Sequence, residues 1–142
     1  MKYFEVTVQI IQETTDKKGD KKIKKVKKSY LVNSMTVTEA EARVVKEMEE
    51  TGGVGEFYVL GVTGSRIGNT LEVEGENADN YYDVCVEVED NESEKKFKEN
   101  FLVISKDLFS VADKVEWFYG NFKSYEIIAI KKSKISEIIN LK

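Results

Sequence analysis

The sequence states one structural pattern twice, and this repetition restricts the fold more than any other feature. Three segments of the first half recur in the second half, in the same order and interrupted only in the connecting loops: "YFEVTVQI" (3–10) with "YYDVCVEV" (81–88), "YLVNSMT" (30–36) with "FLVISKD" (101–107), and "FYVLGVTGSRI" (57–67) with "YEIIAIKKSKI" (125–135). Three matches in one order indicate an internal duplication.

The first segment of each copy has the pattern of a half-buried strand. In the first copy Phe4, Val6, Val8 and Ile10 alternate with polar residues, and a period of two places all four on one face. Between residues 12 and 28 the chain is mostly polar and contains a Gly-Asp turn signal. The pattern therefore predicts a strand, a long hairpin loop and a second strand.

The hydrophobic period then changes to that of a helix in both copies. Thr36 is a candidate N-cap with Glu39 three residues later, which is a capping box, and Thr38 with Glu41 is a competing register. Asp107 is the expected cap in the second copy. A further strand follows each helix, so each copy is predicted to be a ββαβ unit.

A ββαβ unit alone would leave one edge of its sheet bare, and pairing with a second copy would cover that edge. We therefore predict a single α+β domain, residues 1–142. It comprises one repeat at 1–73, an acidic connector at 74–79 and a second repeat at 80–142. The two tandem ββαβ repeats are expected to form one mostly antiparallel sheet of about six strands. Its two helices would lie on one face, related by a pseudo-twofold axis.

Composition excludes several classes of function. Histidine is absent, which removes the commonest acid–base side chain and the commonest zinc ligand, and the formal net charge is only −4. The single cysteine, Cys85, forms no internal disulfide and fits a reducing compartment. No apolar run approaches the roughly 20 residues that span a bilayer. We expect a cytoplasmic protein with no membrane association, no metal and no cofactor, either a monomer or a homodimer.

Two features that resemble catalytic motifs have simpler interpretations. Glu5 and Asp83 occupy equivalent repeat positions and would form a carboxylate pair if the halves brought them together, although residues on the solvent face of a strand usually have no such role. The segment "TGGVGE" lacks the Lys-Ser/Thr of a phosphate loop and follows a helix instead of preceding one. We therefore expect no enzymatic activity.

The pattern as a whole resembles a known family. The strand "KYFEVTV" begins with an aromatic pair, and "YLV", "TEAEARVVKEM" and a "G-E-F" strand follow it. This order is similar to a domain-of-unknown-function family of small proteins from Bacteroidetes, their mobile elements and their phages, crAss-like phages included. Tyr3 stands where that family is expected to have tryptophan. The resemblance implies a phage or mobile-element origin and an association with nucleic-acid functions. It brings no catalytic residues.

The first candidate site is the lysine-rich hairpin. Eight lysines occur between residues 17 and 28: Lys17, Lys18, Lys21, Lys22, Lys24, Lys25, Lys27 and Lys28. A basic finger of this kind binds a phosphate backbone and releases counterions. The alternative is a solvated hairpin tip whose lysines prevent edge-to-edge association. Tyr30 would stack on a base if it were exposed, but its strand position favours the core.

The second candidate site is the aromatic end of the second helix, formed by Trp117, Phe118, Tyr119 and Phe122. The corresponding end of the first helix is mostly polar, so this is a clear difference between the copies. The residues either fill the core or form an exposed edge that contacts a partner protein.

These features lead to one expected function and its alternatives. The chain is predicted to be a non-catalytic phage or mobile-element accessory protein that binds DNA or RNA through the lysine-rich hairpin. The alternative is a protein-binding or inhibitory module that contacts a host or phage protein through the aromatic helix end. A third hypothesis places a small nucleotide-like ligand between the halves, as in a counter-defence protein.

Overall fold

The computed structural model describes residues 2–51, 55–72, 80–90, 92–120 and 124–139. The helices and strands of these residues, in chain order, are β1 Lys2–Thr15, β2 Lys21–Ser34, α1 Val37–Glu50, β3 Glu56–Gly64, β4 Asn69–Glu72, β5 Asn80–Glu89, β6 Lys96–Ser105, α2 Leu108–Tyr119, β7 Ser124–Lys132 and β8 Ile135–Ile139. The fold is therefore α+β, as predicted. The chain forms two compact units, one of residues 1–65 with 134–142 and one of residues 66–133.

The first unit contains a four-stranded mixed sheet in the order β3-β1-β2-β8. β1 pairs antiparallel with both β2 and β3, whereas β8 pairs parallel with β2. One helix, α1, packs on this sheet, and its Ala40, Val44 and Met48 join the buried face that begins at Phe4. The alternating residues predicted to share a face of β1 are all in this core.

The second unit repeats the arrangement in the order β4-β6-β5-β7. β5 pairs antiparallel with β6 and β7, and β4 pairs parallel with β6. The helix α2 contributes Val111, Val115 and Tyr119 to a core that also contains Tyr82 and Phe101. Each unit thus has its own helix, its own sheet and its own core.

The predicted single sheet of about six strands is wrong, because the described residues form two mixed sheets of four strands each. The cause is a short additional strand at the end of each copy: β4 follows β3, and β8 follows β7. However, β4 pairs with β6, and β8 pairs with β2. Each copy therefore gives its last strand to the other copy's sheet, and this parallel strand covers an edge that the prediction left for sheet-to-sheet pairing.

The exchanged strands occupy corresponding registers. Asn69 of β4 lies opposite Phe101, and Glu137 of β8 lies opposite Tyr30, which is the position in the first copy that matches Phe101. In the first unit Ser136 Oγ donates a hydrogen bond of 3.0 Å to the Ser29 carbonyl oxygen. The duplication therefore includes the strand exchange.

Both helices begin at the predicted caps. The Glu39 amide donates to Thr36 Oγ1 at 3.1 Å, so the first of the two candidate registers is the one used. The Ser110 amide donates to Asp107 Oδ1 at 2.8 Å, and this bond, with that of the Ser110 side chain, lowers the pKa of the Asp107 carboxyl. Each bond satisfies an amide that the first turn of a helix leaves without a partner.

Candidate nucleic-acid interface

The hairpin of β1 and β2 extends beyond the rest of its sheet. The last residue of β1 paired with β3 is Ile11, and β8 pairs with β2 only at residues 29–32. Residues 12–15 pair only with residues 21–24 in the described sheet. We call residues 12–24 the arm. Its four residue pairs project about 14 Å before the turn, at roughly 3.4 Å per residue.

The second copy has no arm. Its hairpin ends at the pair Glu89–Lys96, and these residues correspond in the repeat to Ile11 and Lys25 of the first copy. The first hairpin is therefore longer by four residues in each strand, 14 against 10. Because the core of each unit is built without it, the arm is an addition that the duplicated fold does not need.

Sequence analysis predicted a long loop for this segment, and this prediction is wrong for most of its length. The two strands continue in register to Thr15 and Lys21, so only residues 16–20 form the turn. A polar sequence does not prevent pairing, because backbone groups make the ladder hydrogen bonds. The charged residues made the segment look like a loop although its backbone is extended.

Asp16 organises the turn at the tip of the arm. Its Oδ1 accepts hydrogen bonds from the amides of Lys18 and Asp20, both at 2.9 Å. Gly19 has a φ of +82°, a conformation that residues with a side chain rarely adopt. Asp90 has the same role in the second hairpin, where its carboxylate accepts the Glu92 amide at 3.0 Å. The tip of the arm is therefore a defined turn.

All eight predicted lysines are exposed. Because side chains alternate along β2, the six lysines of that strand divide evenly between its faces: Lys22, Lys24 and Lys28 on the side of α1, and Lys21, Lys25 and Lys27 on the other. Lys17 and Lys18 lie in the turn. Lys22 Nζ is 3.9 Å from the Asp16 carboxylate, an exposed contact of small energetic value.

Tyr30 belongs to the core and is not part of this interface. Its ring is buried, and its hydroxyl donates to Met48 Sδ at 3.3 Å. Burial, with the negative charges of Glu137 and Glu47, raises the pKa of Tyr30. The buried position of Tyr30 confirms the core location that its strand position favoured, and a buried ring is not available to stack on a base.

The aromatic residues at the end of α2 divide between surface and core. Trp117 is 71% exposed, and Lys114 Nζ lies 3.9 Å from the centre of its ring. Phe118 is partly exposed and contacts Phe101 edge to face at 5.2 Å. Phe122 lies outside the described residues.

Tyr119, the remaining residue of this group, is a core residue. It stacks on Tyr125 at 4.7 Å and donates a hydrogen bond to Glu99 Oε2. Its burial, followed by this hydrogen bond, raises its pKa well above the ordinary value.

Sequence analysis missed the most exposed aromatic residue of α2. Phe109 is 86% exposed in the first turn, beside the exposed Leu108. Aligning the copies would have found it, because Phe109 replaces Thr38 and Trp117 replaces Lys46 at matching positions of the two helices. Large apolar side chains in place of polar ones on a helix surface are typical of a contact surface.

The residues considered for catalysis belong to different units. Glu5 is on β1 of the first unit, where Lys134 Nζ is 3.4 Å from its carboxylate. Asp83 is on β5 of the second unit, and its Oδ1 is buried without a hydrogen-bond partner. Cys85 is a free, half-buried thiol on the same strand. Within the described ranges, no group of three or more Cys, Asp or Glu side chains is arranged to hold a metal ion.

Comparison with known protein families identifies the family of this chain. A family described as a domain of unknown function (DUF4494) matches residues 2–141. The chain belongs to this family. The match confirms the resemblance to a family of unknown function over nearly the whole sequence, and the bacterial and phage origin stays a prediction. No curated protein matches the chain. Neither helix in the described part of the chain is long and apolar enough to cross a membrane.

Proposed function

We propose that this protein is a non-catalytic, nucleic-acid-binding accessory protein of a phage or mobile element, and that the arm with its flanking lysines is the contact. The main support for this proposal is a difference in hairpin length between the two copies. The same fold is built twice, and only the first copy extends its hairpin, by residues of which none joins the core clusters. Eight lysines lie on or beside that extension.

The charge of this region supports a phosphate partner. The segment from Gln12 to Lys28 has eight lysines against three acidic residues, Glu13, Asp16 and Asp20, although the whole chain carries a formal charge of −4. A local excess of positive charge on an otherwise acidic protein attracts an anionic polymer to one place on its surface. The Asp16 carboxylate also accepts two backbone hydrogen bonds within the turn. Its negative charge therefore repels a phosphate less than that of a carboxylate without such bonds would.

The test is a binding titration across a salt series with two matched triple variants. Lys21, Lys22 and Lys24 become Gln in the arm variant, and Lys95, Lys96 and Lys98 become Gln in the control, which alters the second hairpin by the same charge. If the three arm lysines each contact a phosphate, the slope of log K against log salt should fall by about 2.7 in magnitude. The control should keep the wild-type slope. Equal slopes for the two variants would contradict the proposal.

A second candidate function is a protein-binding module that uses α2. The exposed Phe109 and Trp117 favour it, because neither has a large apolar counterpart in the first helix. A partner captured in constant stoichiometry should be lost with Trp117→Ala and with Phe109→Ala. Tyr58→Ala is the control, since Tyr58 is another exposed aromatic residue, on β3. Loss of the partner with all three variants would indicate non-specific adhesion.

A further inference from the structure

The arm combines two features that together indicate the form of its partner. The first is the division of its lysines between both faces of the ribbon. A ribbon that lay flat on a single row of phosphates would need basic side chains on one face only. Basic side chains on both faces fit a ribbon that lies between two rows of phosphates, and the two walls of a duplex groove are such rows.

The second feature is Ile23, the only apolar residue in the arm sequence. It lies on β2 opposite Glu13, on the face that also carries Lys21 and Lys25, and it is 69% exposed. An exposed isoleucine among lysines makes no contribution to the core of its unit, whose cluster does not include it. The exposed aliphatic side chain of Ile23 is suited to contact an apolar part of the partner, whereas the charged end of a lysine is not.

We propose that the arm enters a groove of duplex DNA, with lysines of both faces against the phosphates of the two strands. Ile23, near the tip and on the face of Lys21 and Lys25, would contact the base edges next to one of these strands. This inference rests on the proposed function and adds the class of nucleic acid. The major groove of B-form DNA is about 12 Å wide and admits a two-stranded ribbon. The base edges there include the thymine methyl group, which is an apolar contact for an aliphatic side chain.

The other classes of nucleic acid fit the arm less well. The major groove of duplex RNA is deep and narrow, and side chains do not reach its bases. Single strands are bound through bases stacked on aromatic rings, and residues 12–24 include no aromatic residue.

The test measures affinity for three probes of one sequence: a 20-base-pair DNA duplex, the matching RNA duplex and the single DNA strand. The protein is compared with Ile23→Ser, Ile23→Leu and the control Phe97→Ser, which alters an exposed apolar residue of the second hairpin. We expect the DNA duplex to bind best. Ile23→Ser should weaken that binding roughly tenfold without changing the salt slope, because it removes apolar burial and no charge. Ile23→Leu and Phe97→Ser should bind like the wild type.

Any other result overturns the inference. The results also distinguish failure of the inference from failure of the proposed function. Equal affinity for duplex and single strand, with a steep salt slope, refutes the groove and leaves phosphate binding intact. Wild-type affinity of Ile23→Ser for DNA refutes the base contact. Self-association of the free chain that Ile23→Ser abolishes would assign the residue to a contact between copies. Absence of binding to every probe refutes the proposed function and the inference together.

Discussion

Replacing Ile135 by Ala should destabilise the unit that contains β1, although Ile135 belongs to the second sequence repeat. Ile135 begins β8 and is 3% exposed, and it lies opposite Ser29 of β2 in the first unit. Truncating a buried isoleucine to alanine costs about 3 kcal/mol, within the range measured for such substitutions. If the unit opens as one cooperative element, 3 kcal/mol raises the population of its open form by about 150-fold.

Native-state hydrogen exchange, followed by peptide mass spectrometry, measures the amide exchange rates of the two units separately. We expect exchange to accelerate in β1, β2 and α1, and to stay near the wild-type rate in β5, β6 and α2. Ile67→Ala is the matched variant, because Ile67 is the corresponding residue of the first repeat and belongs to the second unit. It should have the reverse effect at a smaller magnitude, because Ile67 is only half-buried. Acceleration confined to β5, β6 and α2 in Ile135→Ala would show that β8 pairs within its own copy and would refute the exchange.

Three further predictions concern single contacts. Tyr119→Phe removes the hydrogen bond to Glu99 and should cost about 1.5 kcal/mol. Because the pKa of folded Tyr119 lies above its unfolded value near 10, the wild type should lose stability as the pH rises above 10, and the variant should lose less in an alkaline urea series. Thr36→Ala should cost about 1 kcal/mol in thermal unfolding, and Thr36→Ser should restore most of it. Gly19→Ala should strain the turn and weaken nucleic-acid binding without changing the melting temperature.

The elements of the fold that local sequence determines could be predicted. Thr36 and Asp107 were predictable caps because a cap bonds to an amide only three residues away. The buried face of β1 was predictable because alternation alone defines it. The exchange of β4 and β8 was not predictable, because strand pairing joins residues distant in sequence and a strand of four or five residues carries no signal that selects its partner.

The lysines of the candidate site could be predicted from the sequence, but the extended two-stranded ribbon that carries them could not. The lysines were visible in the sequence, but their division between two faces depends on the strands continuing to Thr15 and Lys21. Part of the helix-end cluster could be predicted, because Tyr119 continues the buried row of Val111 and Val115 at intervals of four residues, whereas the exposed Trp117 lies on another face of the helix. The exposure of Phe109 could be predicted only by comparison of the two copies, because the polar Thr38 occupies the matching position of α1.

Nucleic-acid binding by a chain whose arm has been removed tests whether the arm is the contact. Residues 12–24 are replaced by residues 90–95, so that the first hairpin takes the length and turn of the second and the core residues Phe4 to Ile10 stay unchanged. We expect this chain to keep the wild-type thermal stability and to lose salt-dependent binding to duplex DNA. A folded variant that binds DNA with the wild-type affinity and salt slope would show that the arm is not the contact.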